Sequence, residues 1–453
     1  MRHNVVRALS ILTLVLTACT PAAQPSPVAN STDSRSGAKQ EPAKSTASGS
    51  IILLSTQFRP VEEAEKMRQV ILKDAPVATD YIPEDNGPFT DRIIAEQKAN
   101  RVTVSLIGGL HGDFAPFIQA DYMENLSSLL SQLGDRGFAP SFVRLSRMGT
   151  PDAMYYVPWM QATYVLAVNK KALPYLPQGA DLNSLTYEQL EQWGANIQRA
   201  TSQRRLGFPA GPQGLIHRFF QGYLYPSFTG SAGVVEFRSP EAVAMWQAFK
   251  NIWQYVNPQS TNYAFMQEPL LGEEVWIAWD HTARLINAAR ERPEDFVLVP
   301  APSGPKGRGF MPVLAGLGIP KGAPNRAGAE ALIDFLTRDP QQVQILRELA
   351  FFPVTRAAVP TELAPGVRLE AEAVSKQAAA PDALPSLLPI GLGAKNGEFN
   401  KVFLDTFQRV VLRGEPIQPV LDEHARILQG IMDETKAGCW PPDAPSGGPC
   451  LVK

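Results

Sequence analysis

Asp280, His281 and Thr282 follow directly on the apolar run Val275-Trp276-Ile277-Ala278-Trp279. An acid beside an imidazole at the end of such a run offers three chemistries. The pair could move a proton in hydrolysis. It could bind a ligand, with Asp280 accepting hydroxyl hydrogens. Or Asp280 could cap the helix that starts near Thr282. Catalysis needs partners, and none stands in a recognisable order. There is no Gly-x-Ser-x-Gly elbow, no Walker loop, no His-Glu-x-x-His and no Cys-x-x-Cys. The five histidines (His3, His111, His217, His281 and His424) are scattered, which argues against a metal centre. Glu273 and Glu274 are adjacent, so on a strand they face opposite sides. No catalytic group, metal or cofactor is therefore expected.

The aromatic residues point elsewhere. They gather near strand ends, in "YYVPWMQATY" (155–164), "FFQGYLYPSF" (219–228) and "VWIAWDH" (275–281). Any one of them is at home in a core. As groups beside Asp, Asn, Gln and Arg they suit a sugar, whose C–H faces stack on rings while its hydroxyls need donors and acceptors.

These groups sit in a long chain. Its 453 residues predict two or three domains, and a net charge of −2 gives no basic field for nucleic acid. The start, "MRHNVVRALSILTLVLTACTP", has Arg2 and Arg7, an apolar run and small residues before Cys19. It reads as a secretory signal over 1–18, too short for a membrane span. Leu16-Thr17-Ala18-Cys19 resembles a bacterial lipobox, which implies cleavage before Cys19 and lipid (palmitate) on its sulfur. A plain signal peptide is the alternative. Residues 19–49, rich in Pro, Ser, Ala and Thr, read as a disordered tether to a membrane anchor. Cys439 and Cys450 flank "CWPPDAPSGGPC" in the tail 437–453. In an oxidising compartment a disulfide is the natural reading, two free thiols the alternative.

The mature chain alternates strand and helix patterns, which predicts an α/β fold with a mainly parallel sheet. Strands are expected at 50–55, in "RVTVSLIG" (101–108), in "VLAVNKK" (165–171), at 296–302 and in "PVLAGLGIPKG" (312–322). Thr186 with Gln189 makes a capping box, Ser239-Pro240 a cap followed by a first-position proline, and Asp339-Pro340 the same. Val243, Trp246, Phe249, Trp253 and Val256 recur at helical spacing as a core stripe. Two helices near the C-terminus break at Gly414.

The order of these segments resembles the extracellular solute-binding proteins of bacterial ABC importers, in their family 1, maltose-binding-protein-like sugar-binding cluster. "YYVPWMQATYVLAVNKKAL" is similar to the family's tyrosine-x-proline segment and its "YNK" strand, through Asn169-Lys170. "LLGEEVWIAWDHTARL" is similar to the "G-x-x-A-M" strand and its turn. The stretch from "VLVPAPSGPKGRGF" through "FLTRDPQQVQIL" carries the proline-glycine loop, the Gly-rich strand and the helix after it. "FFPVTRAAV" matches the segment that follows. Together these span about residues 50–435.

The resemblance implies a two-lobe periplasmic-binding-protein fold whose hinge is crossed more than once. Lobe one would be 50–165 plus 301–352, and lobe two 166–300 plus 353–436. A solute, a sugar or oligosaccharide, would be captured between the lobes and delivered to the permease subunits. The family's ligand-contacting places fall on Gln57, Phe58, His111, Asp113, Trp159, Gln161, Tyr223 or Tyr225, Trp279, Asp280, His281, Arg284 and Glu398. Two cleft loops depart from the pattern, "IGGLHGD" and Asp280-His281-Thr282, so the ligand is not expected to be a common maltodextrin. The rival readings are a surface-anchored hydrolase using Asp280 with His281, and an iron or polyamine binder of similar fold.

Overall fold

The computed structural model describes residues 49–58, 61–357 and 360–453. The signal segment, Cys19 and all of the tether but Gly49 lie outside them. Eleven strands are formed among the described residues: β1 (Ser50–Ser55), β2 (Ala78–Pro83), β3 (Leu106–Leu110), β4 (Val157–Ala162), β5 (Tyr164–Asn169), β6 (Leu206–Gly207), β7 (Ile277–His281), β8 (Phe296–Val299), β9 (Arg308–Phe310), β10 (Val313–Gly318) and β11 (Ala383–Pro385). They make a sheet of order β2-β1-β3-β10-β4, a second of order β6-β7-β5-β8, and the pair β11-β9. Each large sheet is the centre of one lobe.

Local sequence explains most elements. β1 is almost wholly apolar because helices cover both of its faces, and Leu53 and Leu54 are fully buried. The helix Tyr187–Thr201 starts where expected. The Gln189 amide donates to Thr186 Oγ1 at 3.1 Å, and the Thr186 amide to Gln189 Oε1 at 3.0 Å. Ser239 caps the helix Pro240–Trp253, and Gly414 at φ +74° ends the penultimate helical segment. Val256 falls beyond the helix that its spacing suggested.

Three expectations need correction. The sheets are not mainly parallel. β1 runs parallel to β2 and β3, but β10 is antiparallel to β3 and β4, and β5 is antiparallel to β7 and β8. The cause is topological. β5 and β10 enter their sheets from the other lobe, so they run against strands joined by local helical crossovers. The segment 101–108 pairs only from Leu106, and Asp339 is already helical, with Arg338 in the cap position.

The chain crosses between the lobes at Thr163, between β8 and β10, and at Phe351–Thr355. Buried glutamines tie these crossings. Gln377, on the helix Pro365–Ala378, donates to Thr163 Oγ1 (3.2 Å) and Tyr164 O (3.1 Å) and accepts from the Ala301 amide (2.9 Å). Gln342 donates to Trp159 O at 2.8 Å and accepts from the Val354 amide at 3.0 Å. The tail folds back on lobe two, with Cys439 joined to Cys450 and the Lys453 amide donating to Val235 O. No helix of the described residues is long and apolar enough to cross a membrane.

Candidate functional site

β1 and β3 end side by side at the lip of lobe one, and Asp113 knots them together. Its Oδ2 accepts from Thr56 Oγ1 and from the Leu110 amide, each at 2.8 Å, and its Oδ1 accepts from Asn86 Nδ2 at 2.8 Å. Burial pushes the Asp113 carboxyl up, while these bonds and the nearby Arg218 pull it back. The glycines of "IGGLHGD" make room. A Cβ at Gly108 would stand 2.8 Å from Ser55 Oγ, and one at Gly109 3.1 Å from the Asp113 Cβ.

Lobe two faces this lip with the short helix Ile216–Phe219 and the start of the helix Asn396–Phe407. Arg218 Nη1 donates to Gln221 Oε1, and Gln221 Nε2 to Asn400 Oδ1, each at 3.0 Å. Between the lobes lies a cavity of about 390 Å³, with Asn86, Thr90 and Asp113 on one side and Arg218 and Asn396 on the other.

A belt of rings joins the lobes. Trp159 meets Phe58 edge-on (5.6 Å), Phe58 meets Phe351 (5.1 Å), and Phe351 approaches His281 (6.4 Å). His281 stands on Tyr164 (4.9 Å), and Tyr164 stacks on Trp279 at 4.7 Å and 3°. Both indoles are fully buried, and neither Nε1 has a hydrogen-bond partner among the described residues.

Asp280 faces backbone amides. Its carboxylate is fully buried, accepting from the Met266 amide (3.0 Å) and the His281 amide (2.7 Å). Burial raises its pKa to about 7, with Arg284 pulling the other way. The helix Thr282–Glu291 is capped instead by His281, whose Nδ1 accepts from the Ala283 amide at 3.2 Å, so the expectation that Asp280 caps it is corrected. The acid and the imidazole each serve backbone amides. Burial then Arg284 push the His281 imidazole down to about 3, a poor proton carrier at neutral pH. No three His, Cys, Asp or Glu side chains converge on a metal position among the described residues.

Residues 80–343 match the family model of the bacterial extracellular solute-binding proteins. The chain belongs to that family. No curated protein matches the sequence. Solved structures agree with this solute-binding protein in fold. The GacH receptor of Streptomyces glaucescens, determined unliganded and with acarbose, is 16% identical with a TM-score of 0.64, covering 85% of this chain and 99% of its own. The sugar-binding MalE of Xanthomonas citri is 14% identical, TM-score 0.68, covering 84% and 97%. UgpB of Mycobacterium tuberculosis, in complex with glycerophosphocholine, is 18% identical, TM-score 0.66, covering 85% and 99%.

Within the solute-binding protein, the expected site residues divide. Gln57, Phe58, Asp113, Trp159, Trp279 and His281 lie on the lip or the belt. Gln57 donates through Nε2 to Thr56 Oγ1 (2.9 Å) beside Asp113. His111 is buried at the same lip, its Nδ1 2.7 Å from Tyr156 OH. Arg284 donates to Ala264 O (3.1 Å) and lies 4.3 Å from the Phe265 ring centre. Gln161 sits at the hinge, donating to Pro353 O at 2.9 Å. Two stand apart from these. Tyr225 is inside lobe two, its hydroxyl donating to Phe237 O (3.0 Å) and accepting from Trp246 Nε1 (3.1 Å), while Tyr223 is the tyrosine that reaches the hinge at Thr163. Glu398 is exposed and paired with Lys395 at 2.9 Å. The sequence reading missed Asn86, Arg218 and Asn396. Arg218 left one trace, a cation beside His217 within the otherwise apolar "LIHRFF".

Proposed function

We propose that this protein captures a sugar or oligosaccharide between its lobes and hands it to the permease subunits of an ABC importer, without chemistry of its own. One observation carries the reading: the cavity of about 390 Å³ whose opposed walls offer Asn86 and Asp113, then Arg218 and Asn396. Sugar hydroxyls both donate and accept, and sugar C–H faces are apolar, so a cavity that sets amide, carboxylate and guanidinium groups among apolar walls suits them. Asn86 and Asp113 would hold the ligand from lobe one, and Arg218 and Asn396 from lobe two. The belt from Trp159 to Trp279 does not line that cavity and would brace the junction of the lobes. Residues 50–165 with 301–352 would move as one body against 166–300 with 353–436. The family's extracellular setting supports cleavage before Cys19, a lipid anchor there, and a Cys439–Cys450 disulfide formed outside the cytoplasm.

A carbohydrate panel in thermal unfolding tests this. A sugar at a hundredfold its Kd stabilises the fold by about 2.7 kcal/mol. Stabilisation by one sugar class without turnover is expected. Turnover of a glycoside, or stabilisation by iron or polyamines alone, overturns the reading. In fractionated cells Cys19→Ala should release the protein from the membrane, and unchanged retention would contradict the anchor.

A further inference from the structure

After β11 the chain passes across the space between the lobes as a strap, Leu387–Gly391. The strap touches lobe one: a Cβ on Gly112 would stand 3.1 Å from the Pro389 carbonyl oxygen. That contact divides the interlobe space. On one side is the cavity described above. On the other is a second cavity of about 370 Å³.

The second cavity differs in its charged groups. Ile118, Leu145 and Met148 line it from lobe one, and Leu387, Ile390 and Trp440 from lobe two. No carboxylate lines it, but Arg144 and Lys436 do. Neither of those two side chains makes a hydrogen bond or an ion pair among the described residues. The other titratable group is His111. Its Nδ1 is engaged by Tyr156, and burial holds it neutral, its pKa pushed down to about 4. Trp440 is held in place from several sides. It packs on Phe399 at 5.7 Å, the Leu387 amide donates to Pro441 O at 3.1 Å, and Cys439 is joined to Cys450. The Asp443 carboxylate fixes the loop by accepting from the Ala232 amide and Ser231 Oγ.

We propose that this second cavity is a binding site for a small amphipathic anion, an organic carboxylate with an apolar body. Apolar walls take the body, and two cations without partners take the charged end. The absence of any lining acid sets the sign of the ligand. The site is separate from the sugar cavity and stands whether or not a sugar binds there.

The test is isothermal titration of the full chain, its cysteines oxidised, with 4-phenylbutyrate and with 4-phenylbutylamine. The two probes share an apolar body and differ in the sign of the head. Saturable binding of the carboxylate is expected, weakened about tenfold or more in Arg144→Ala/Lys436→Ala. Both are exposed side chains, so the double variant should melt with the wild type. Ile118→Trp, which fills the cavity from a half-buried position, should abolish binding. Equal binding of the amine, no binding of the carboxylate at millimolar concentration, or undiminished affinity in the double variant overturns the proposal. None of these outcomes depends on the sugar panel.

Discussion

Replacing Glu370 by glutamine should stabilise the protein at neutral pH. Glu370 lies on the helix Pro365–Ala378, which packs on the helix Thr282–Glu291. It is fully buried, and neither carboxylate oxygen has a hydrogen-bond partner among the described residues. Burial pushes its carboxyl well above the usual range, and Arg290 only partly offsets that. In the unfolded chain the same group titrates near ~4.3. Between those two values the folded state holds a proton that the unfolded state has lost. Its contribution is therefore fully present below about pH 4.3, and it is lost as pH rises toward the folded value, at up to ~1.4 kcal/mol per pH unit. Glutamine has the same shape and cannot ionise, so it removes this slope and leaves the low-pH stability nearly unchanged. Guanidinium unfolding of wild type and Glu370→Gln at about pH 5, 6 and 7 reads the difference, which should widen by about 1.4 kcal/mol per unit over the early part of that range. A gap that does not grow with pH, or a less stable variant at pH 7, would refute the reasoning.

Three further outcomes follow from the same geometry. Gln377→Leu leaves the Ala301 amide without its acceptor and takes a donor from Tyr164 O. It should cost about 1–3 kcal/mol in denaturant unfolding. It should also change the ligand-free radius of gyration in solution scattering, because two of the hinge crossings meet at that side chain. Trp279→Ala, which empties a buried site stacked on Tyr164, should cost about 3–5 kcal/mol, and a cost near zero in the same assay would place Trp279 outside the core. His281 is held neutral with its pKa down at about 3, so its stabilising contribution is present above an unfolded value of ~6.5 and is lost as pH falls. His281→Asn keeps an acceptor for the Ala283 amide and does not titrate, so its urea midpoint should fall less than that of wild type from about pH 6 to about pH 4.

The fold was legible where local chemistry decides it. Thr186-Gln189, Ser239-Pro240 and Gly414 each encode a helix end in a few adjacent residues, and the run Ser50–Ser55 encodes a covered strand. Strand direction was not legible, because it depends on which lobe the chain arrives from. Arg101–Ser105 has the alternation of a strand but finds no ladder partner. In the belt, Trp159, Trp279 and His281 were visible in the aromatic groups at strand ends, and Phe58 only through the family resemblance. Asn86, Arg218 and Asn396 come from three helices far apart in the chain, and no spacing links them. Asp280 and His281 exchanged roles because the buried acid is engaged by Met266, fourteen positions back, which no local cap rule contains.

The central claim is that a solute is held in the cavity between Asp113 and Arg218. The most direct measurement is the affinity of Arg218→Ala for whichever sugar most stabilises the wild type, taken by isothermal titration with the melting temperature recorded alongside. Arg218 is half-buried and lines that cavity opposite Asp113. Loss of a charge-assisted bond should weaken binding by about tenfold or more while the melting temperature of the free protein stays close to that of the wild type. Undiminished affinity in Arg218→Ala would place the solute somewhere other than this cavity.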